Sequence, residues 1–314
     1  MTLNAIDQRM QAYSTLQPTE TEDGTPFQLG LANAVWGQQG YAFNQPYLDL
    51  LATQYGAGIH VLDFEKSAEV AREAINAWVA EKTDGRIEEI AAPGSISTDT
   101  RLVLANAILF KAGWAYKFDQ QATRDGVFKL LDGKQVTIPL MHLRAPLDHV
   151  EKEDYQAVRL PYIYQKVEMW IILPAEGRFK AVQDELGLNL INEIQQKAGM
   201  DDVILTFPSF EFESELPLNG LLGQMGLTEV FCPAGDYSGI AEGEGLCIDQ
   251  AVHKATITVD EEGTEATAAT LVMMPASIME EIKITVDRPF IYAIMDRESG
   301  LILFLGQVLD PSIH

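Results

Sequence analysis

The most restrictive feature of the sequence is the stretch RLVLANAILFKA, residues 101–112. Apolar side chains occupy both of its alternating faces, so a strand built from it must be covered on both sides. Such a strand belongs in the middle of a sheet. Further extended patterns occur at residues 27–36, 155–160, 167–173, 203–212 and 252–259, and a hairpin is predicted over residues 290–295 and 301–308.

Helical periodicity covers the first residues of the chain, then residues 46–55 and 67–82. We expect Ser67 to cap the third of these helices and Gly85 to follow its end. Because strands outnumber helices and come in runs, the sequence predicts an α+β fold with large, mostly antiparallel sheets. No linker rich in Pro, Gly or Ser divides the chain, so residues 1–314 are expected to form a single domain.

The charge of the chain restricts its partners. It has 46 acidic against 22 basic residues and a formal net charge of -24. A surface of this sign repels phosphate backbones, so a nucleic-acid partner is not expected. No apolar run approaches the roughly 18 residues that span a bilayer, and no membrane partner is expected either. Cys232 and Cys247 are the only cysteines and are expected to be free thiols.

The usual signatures of enzymes are missing from the sequence. It has neither a Gly-x-Ser-x-Gly elbow nor a His-Glu-x-x-His pair, and its five histidines are scattered. We therefore expect no catalytic residue, no metal and no cofactor.

The segment from 257 to 290 is unusual. A strand ends at Val259, and the acids and Gly263 that follow predict an exposed bend. Residues 264–270, TEATAAT, carry small side chains apart from Glu265, and the apolar stretch LVMMPASIM, residues 271–279, comes next. Small uncharged side chains share one face at a period of two, and they are Thr264, Ala266, Ala268 and Thr270. This segment is predicted to be a strand that could enter a packed sheet without overfilling it.

The stretch DEEGTEATAAT, residues 260–270, resembles the hinge of inhibitory serpins. Other blocks are similar to the same family in the same order: LVLANAILFKAGWAYKF at 102–118, LPLNGLLGQMGLTEVFCPAGDYSGI at 216–240, AVHKATITVD at 251–260 and DRPFIYAIMDRESGLILFLGQVLDP at 287–311. The resemblance implies the serpin fold, with a large main sheet, further sheets, surrounding helices and an exposed reactive loop at about residues 260–283.

The resemblance also implies a mechanism. A serine protease would cleave the loop, and the freed segment would insert into the main sheet while the enzyme is held as a covalent acyl ester. The hinge residues would be Glu261, Glu262, Gly263, Thr264, Glu265, Ala266, Thr267, Ala268, Ala269 and Thr270. Counting 14 residues from Gly263, as the family does, places the reactive bond between Ser277 and Ile278, within one or two residues.

The residues before that bond predict the target. Met274, Pro275 and Ala276 are small to medium and apolar, so an elastase-like or subtilisin-like protease is expected and a trypsin-like one is disfavoured.

Three residues match the region where the family's main sheet opens. Asn106 and His253 are expected to hydrogen-bond beneath the sheet, although two ordinary polar core residues would leave the same pattern. Trp114 matches a tryptophan at the top of the sheet where insertion begins, or is simply core. Ser209 stands where some relatives carry a lysine that pairs with the acid at the loop base, here Glu261, so that pair is expected to be absent.

The chain also departs from the family pattern. The first serpin helices have no counterpart before residue 1, so apolar surface behind the central strand is expected to be exposed. The resemblance further implies a monomer in an extracellular location. The alternative function is a non-inhibitory serpin-fold binding or carrier protein, against which the small hinge residues argue. An enzyme of unknown type is the third reading.

Overall fold

The computed structural model describes residues 3–16, 27–55, 58–231, 236–242, 246–264 and 281–313. Its α-helices are α1 (Leu3–Ser14), α2 (Gln45–Leu50, continued by a π-helical turn at Leu51–Tyr55), α3 (Phe64–Lys82), α4 (Phe179–Glu185), α5 (Leu188–Lys197) and α6 (Leu218–Gln224). Its strands are β1 (Gln28–Gln38), β2 (Ala42–Phe43), β3 (Ile59–Leu62), β4 (Leu102–Gly113), β5 (Arg124–Lys129), β6 (Gln135–Glu151), β7 (Tyr155–Pro161), β8 (Val167–Pro174), β9 (Gly199–Pro208), β10 (Phe210–Pro217), β11 (Ala241–Glu242), β12 (Gln250–Val259), β13 (Gly263–Thr264), β14 (Glu281–Thr285), β15 (Phe290–Asp296) and β16 (Ile302–Val308).

The chain forms two compact units. The first unit comprises residues 1–15, 28–110 and 213–257, and the second comprises residues 16–27, 111–212 and 258–314. Among the described residues, no helix is both long and apolar enough to cross a membrane.

The main sheet has the strand order β10-β12-β4-β1-β3, so the strand predicted to be central lies in its middle. In the first unit β4 runs parallel to β12, from Val103 opposite Gln250 to Leu109 opposite Thr256. β1 and β3 are also parallel. We call the seven directly paired positions of β4 and β12 the seam.

Helix α3 covers one face of the main sheet in the first unit. Its buried Ala71, Ile75 and Val79 pack in one cluster with Ala105 and Ala107 of β4. This packing covers one of the two apolar faces of β4.

The helix begins earlier than the sequence predicted. Phe64 is fully buried and starts the first turn, and the Asp63 carboxylate caps it by accepting a hydrogen bond from the Lys66 amide. Ser67, predicted to be the cap, instead has non-helical φ and ψ of −145° and 49° inside the helix. The helix does end before Gly85, whose φ of +77° suits glycine.

The second unit is built on an eight-stranded sheet of order β14-β9-β6-β7-β8-β15-β16, with β5 paired to β6. Its pairs are antiparallel except for β14 and β9. The strand predicted over residues 203–212 is divided into β9 and β10. The two strands part at Ser209, whose amide donates to the Pro139 carbonyl and so continues the β6–β9 register by one residue.

Cys247 forms a disulfide bond, so the expectation of a free thiol there was wrong. The structure shows no free cysteine among the residues it describes. Cys232, the only other cysteine of the sequence, lies outside those residues.

Candidate functional site

A tight turn follows β12 in the second unit. The Asp260 amide donates to the Gly263 carbonyl, and the Asp260 carboxylate accepts from the amides of Glu262 and Gly263, all within 2.9 to 3.1 Å. Burial raises the pKa of Asp260, while these two backbone hydrogen bonds oppose the rise. Hydrogen bonds among the residues of the turn itself therefore reverse the chain.

The reversed chain begins a new strand on the end of β4. Gly263 lies opposite Gly113 and Thr264 opposite Ala112, in antiparallel register. A Cβ atom on Gly263 would stand 2.2 Å from the Ala112 carbonyl oxygen, so only glycine fits. Thr264, which the resemblance assigns to the exposed loop, is instead already paired with β4.

The acids at the turn are not all exposed, contrary to the prediction of an exposed bend. Only 7% of the Glu262 side chain is exposed. Its carboxylate accepts a hydrogen bond from the Gln120 amide group at 2.9 Å and lies 3.8 Å from the Lys117 ammonium, which is 9% exposed. Since a buried charge is costly unless it is paired, this contact fixes the loop base.

Glu261 has a different partner. Its carboxylate accepts a hydrogen bond of 2.6 Å from the Thr123 hydroxyl. Thr123 was not identified from the sequence, because nothing local relates it to a residue 138 positions later.

Trp114 connects the core to this turn. Its side chain is 1% exposed and stacks on Tyr162 with ring centroids 4.4 Å apart. Its indole nitrogen donates to the Asp260 carbonyl and its amide donates to the Glu262 carbonyl, both at 2.9 Å. The Phe118 amide donates to the Glu261 carbonyl between them. Trp114 is thus both a core residue and a contact of the loop base.

A second polar group lies in the first unit, at the seam. His253 and Asn106 are directly opposite each other in the β12–β4 register. The His253 Nδ1 nitrogen donates to the Asn106 amide oxygen, and the Asn106 amide nitrogen donates to the Asn33 amide oxygen on β1. Burial lowers the pKa of His253, which favours the neutral ring. Asn33 was missed by sequence reasoning, although a lone asparagine in an otherwise apolar strand was its signal.

An apolar cavity of about 430 Å³ lies beside this group in the first unit. Asn33 and Asn106 line it together with apolar side chains that include Leu104, Leu222 and Ile248.

The other predicted site residues lie outside the described residues. They are the hinge residues Glu265, Ala266, Thr267, Ala268, Ala269 and Thr270, the reactive bond Ser277–Ile278, and its neighbours Met274, Pro275 and Ala276.

Comparisons with known proteins agree with this geometry. The protein-family model described as serpin (serine protease inhibitor) matches residues 2–311. An uncharacterized serpin-like protein of Thermococcus kodakarensis is 39% identical over 297 residues, which are 93% of this chain and 68% of that protein. The leukocyte elastase inhibitor of Sus scrofa is 34% identical over 309 residues, or 95% of this chain and 82% of that protein.

Solved structures show the same fold. Thyroxine-binding globulin in complex with thyroxine matches with a TM-score of 0.84 and 25% identity, covering 98% of this chain and 81% of that one. Uncleaved ovalbumin matches with a TM-score of 0.84 and 24% identity, covering 98% and 78%. The predicted α+β serpin fold is confirmed, and the family matches support the role of a protease inhibitor rather than of an enzyme. The chain belongs to the serpin family.

Proposed function

We propose that this chain inhibits a serine protease as a suicide substrate. The protease would cleave the loop that follows Thr264, and the freed segment would insert between β12 and β4. The observation that carries the proposal is β13. Its two residues already run antiparallel to the end of β4, after a turn that reverses the chain at the end of β12. An inserted strand would only have to continue a ladder that has begun.

The register of β13 predicts where each inserted residue would go. Continuing from Thr264 opposite Ala112 places Glu265 opposite Lys111 and Thr270 opposite Asn106. Insertion would break the seven parallel pairs between β4 and β12 and form two antiparallel ladders in their place. Insertion would therefore add the hydrogen bonds of about one ladder, because the β4–β12 ladder is lost and two new ladders form.

Hydrogen bonds worth about 0.5 to 1.5 kcal/mol each, together with apolar burial, give a driving force on the order of 10 kcal/mol. This is comparable with the roughly 5 to 15 kcal/mol that stabilise a protease domain. Insertion with the enzyme attached is therefore strong enough to distort it.

The covalent step needs only the chemistry of the protease. Its serine oxygen attacks the carbonyl carbon of Ser277, the bond to the Ile278 nitrogen breaks, and the new amine leaves with the proton delivered by the protease histidine. Ser277 is then held as an ester. Hydrolysis of that ester requires an intact oxyanion hole, so distortion of the enzyme stalls the reaction.

We further propose an elastase-like or subtilisin-like target. Met274, Pro275, Ala276 and Ser277 offer no basic side chain to a trypsin-like pocket. The relatives named leukocyte elastase inhibitor agree with this choice. An extracellular location fits the disulfide at Cys247, because disulfides persist in oxidising compartments.

The test is to incubate the protein with elastase, subtilisin and trypsin and to look for a covalent complex on a denaturing gel. We expect complexes with the first two enzymes and a released peptide that begins at Ile278 or within two residues of it. Ala268→Glu would place a charge on the inserted face, so this variant should be cleaved without forming a complex. Glu265→Gln, on the opposite face, is the matched control and should still form it.

Two results contradict the proposal. One is the absence of a complex with every protease of a broad panel. The other is equal complex formation by wild type and Ala268→Glu. A non-inhibitory carrier would give the first result.

A further inference from the structure

A cavity of about 570 Å³ lies in the second unit, beside the end of β8. Its walls come from the β5–β6 turn (residues 130–134), the β8–α4 connection (residues 175–178) and the β14–β15 connection (residues 286–289). The volume is within the range of about 300 to 1,000 Å³ that small-molecule sites occupy. These connections belong neither to the loop base nor to the seam, so the proposed inhibition gives this cavity no role.

Hydrogen bonds hold the walls of the cavity together. The Lys129 amide donates to the Asp287 carbonyl at 2.8 Å, which joins the end of β5 to the β14–β15 connection. The Arg288 Nε atom donates to the Pro174 carbonyl at 2.9 Å, which joins the same connection to the end of β8. A ligand would therefore enter a cavity whose walls are already ordered, and binding would not have to supply the cost of ordering them.

The charge of the cavity is opposite to that of the chain. The described residues that line it include three basic ones, Lys129, Lys180 and Arg288, and one acidic one, Glu176. The whole sequence has 46 acidic and 22 basic residues, so this excess of bases is a local exception. We call this cavity the basic pocket. Its lining favours an anionic ligand.

Arg288 presents an oriented donor to the basic pocket. Its side chain is 25% exposed, and its Nη1 atom donates to the Asp287 carboxylate at 2.9 Å while Nε holds the Pro174 carbonyl. The Nη2 atom has no hydrogen-bond partner among the described residues. A guanidinium fixed by two contacts keeps its remaining N–H groups in a set direction, which suits the planar oxygens of a carboxylate.

The Lys129 ammonium has a partner that a ligand could replace. It lies 3.4 Å from the Glu176 carboxylate, and the two side chains are 46% and 80% exposed. Exposed ion pairs of this kind contribute little to stability. An anion in the basic pocket could therefore take the place of Glu176 beside Lys129, and Glu176 would compete with it.

The remaining lining favours an apolar body on that anion. Phe179, Pro174 and Pro289 are buried, whereas Leu131 is 59% exposed. A ligand that covers Leu131 would remove apolar surface from water. Inorganic phosphate or sulfate would leave that surface exposed.

We propose that the basic pocket binds a small carboxylic acid with an apolar body. The ligand carboxylate would accept hydrogen bonds from Arg288 and Lys129, and its body would pack against Phe179 and Leu131. This inference goes beyond protease inhibition and does not depend on it.

The test is calorimetric titration of the intact protein with naphthoate and decanoate, and with their neutral analogues naphthalenemethanol and decanol. Both carboxylates should bind more tightly than their analogues. Arg288→Gln removes the charged donor and should weaken naphthoate binding about tenfold. Lys129→Met should weaken it about threefold, and Glu176→Gln should tighten it about threefold by removing the competing carboxylate. Lys283→Met, at a lysine of the same unit that is 71% exposed and outside the basic pocket, is the matched control and should leave binding unchanged.

The opposite signs expected for Lys129→Met and Glu176→Gln separate binding from stability, because a general loss of structure would weaken binding in both. These two side chains are exposed, so the comparison stands even if Arg288→Gln fails to fold. The proposal is overturned if neither carboxylate binds, or if the neutral analogues bind equally well. It is also overturned if Lys129→Met and Glu176→Gln both bind naphthoate as wild type does, because the ligand would then occupy another site.

Discussion

Replacing Lys117 with methionine should destabilise the intact protein through the loop base. The Lys117 ammonium lies 3.8 Å from the Glu262 carboxylate, and neither side chain is more than 9% exposed. At an effective dielectric constant of about 20, this separation corresponds to about 4 kcal/mol of attraction. Removing one partner of a buried pair commonly costs about 3 to 5 kcal/mol, because the other charge stays buried.

We expect Lys117→Met to lower the free energy of unfolding by about 3 kcal/mol and the thermal midpoint by about 6 °C. Thermal melts followed by near-ultraviolet circular dichroism, at one fixed heating rate, measure the change. The double variant Lys117→Met/Glu262→Gln removes both charges and should recover to within about 1 kcal/mol of wild type. Lys180→Met, which breaks an exposed pair with Asp184, is the control and should cost less than about 1 kcal/mol.

A wild-type midpoint for Lys117→Met would show that the ion pair does not stabilise the loop base. If the loss of stability in the double variant equals the sum of the losses in Lys117→Met and Glu262→Gln, the two side chains do not interact, which would also contradict the prediction.

Three further predictions concern the strand and the seam. Gly263→Ala should lower the free energy of unfolding by about 2 kcal/mol in thermal melts, because the added Cβ atom has no room. Gly239→Ala is the control and should be nearly neutral, because a Cβ atom there meets open space. The register makes Glu265 and Lys111 a cross-strand pair in the cleaved protein, worth up to about 1 kcal/mol. In that form Glu265→Lys should lower the thermal midpoint, and the double variant Glu265→Lys/Lys111→Glu should restore it. If the double variant does not recover, the proposed register is wrong. Burial lowers the pKa of His253 below its usual 6.5, so the unfolded chain binds more protons than the folded one near that pH. The free energy of unfolding should therefore fall as pH drops below about 6.5. His253→Gln should make this fall less steep, which urea titrations at several pH values would measure.

The sequence predicted what depends on local pattern. The apolar side chains on both faces of residues 101–112 identified the central strand, and the hinge-like stretch of residues 260–270 directed attention to the turn that the structure places at the end of β12. The long strand β6 was not foreseen, because Pro139 and Pro146 interrupt its alternation. Ser67 was chosen as a helix cap, yet the burial of Phe64 decides where α3 begins.

What the sequence could not predict depends on contacts between distant residues. The burial of Glu262 follows from Lys117 and Gln120, more than 140 positions earlier. The pairing of Thr264 with Ala112 follows from the end of β4 lying beside the turn. Local composition at the turn, three acids and a glycine, indicated exposure, and long-range pairing overrode it.

The most direct test of the account compares the thermal midpoints of the intact protein and of protein cut once in the loop near Ser277. If the freed segment extends the ladder that β13 begins, the cut protein should melt higher by roughly 20 °C or more and residues 265–276 should resist further digestion. Equal midpoints, with those residues still digested, would contradict it.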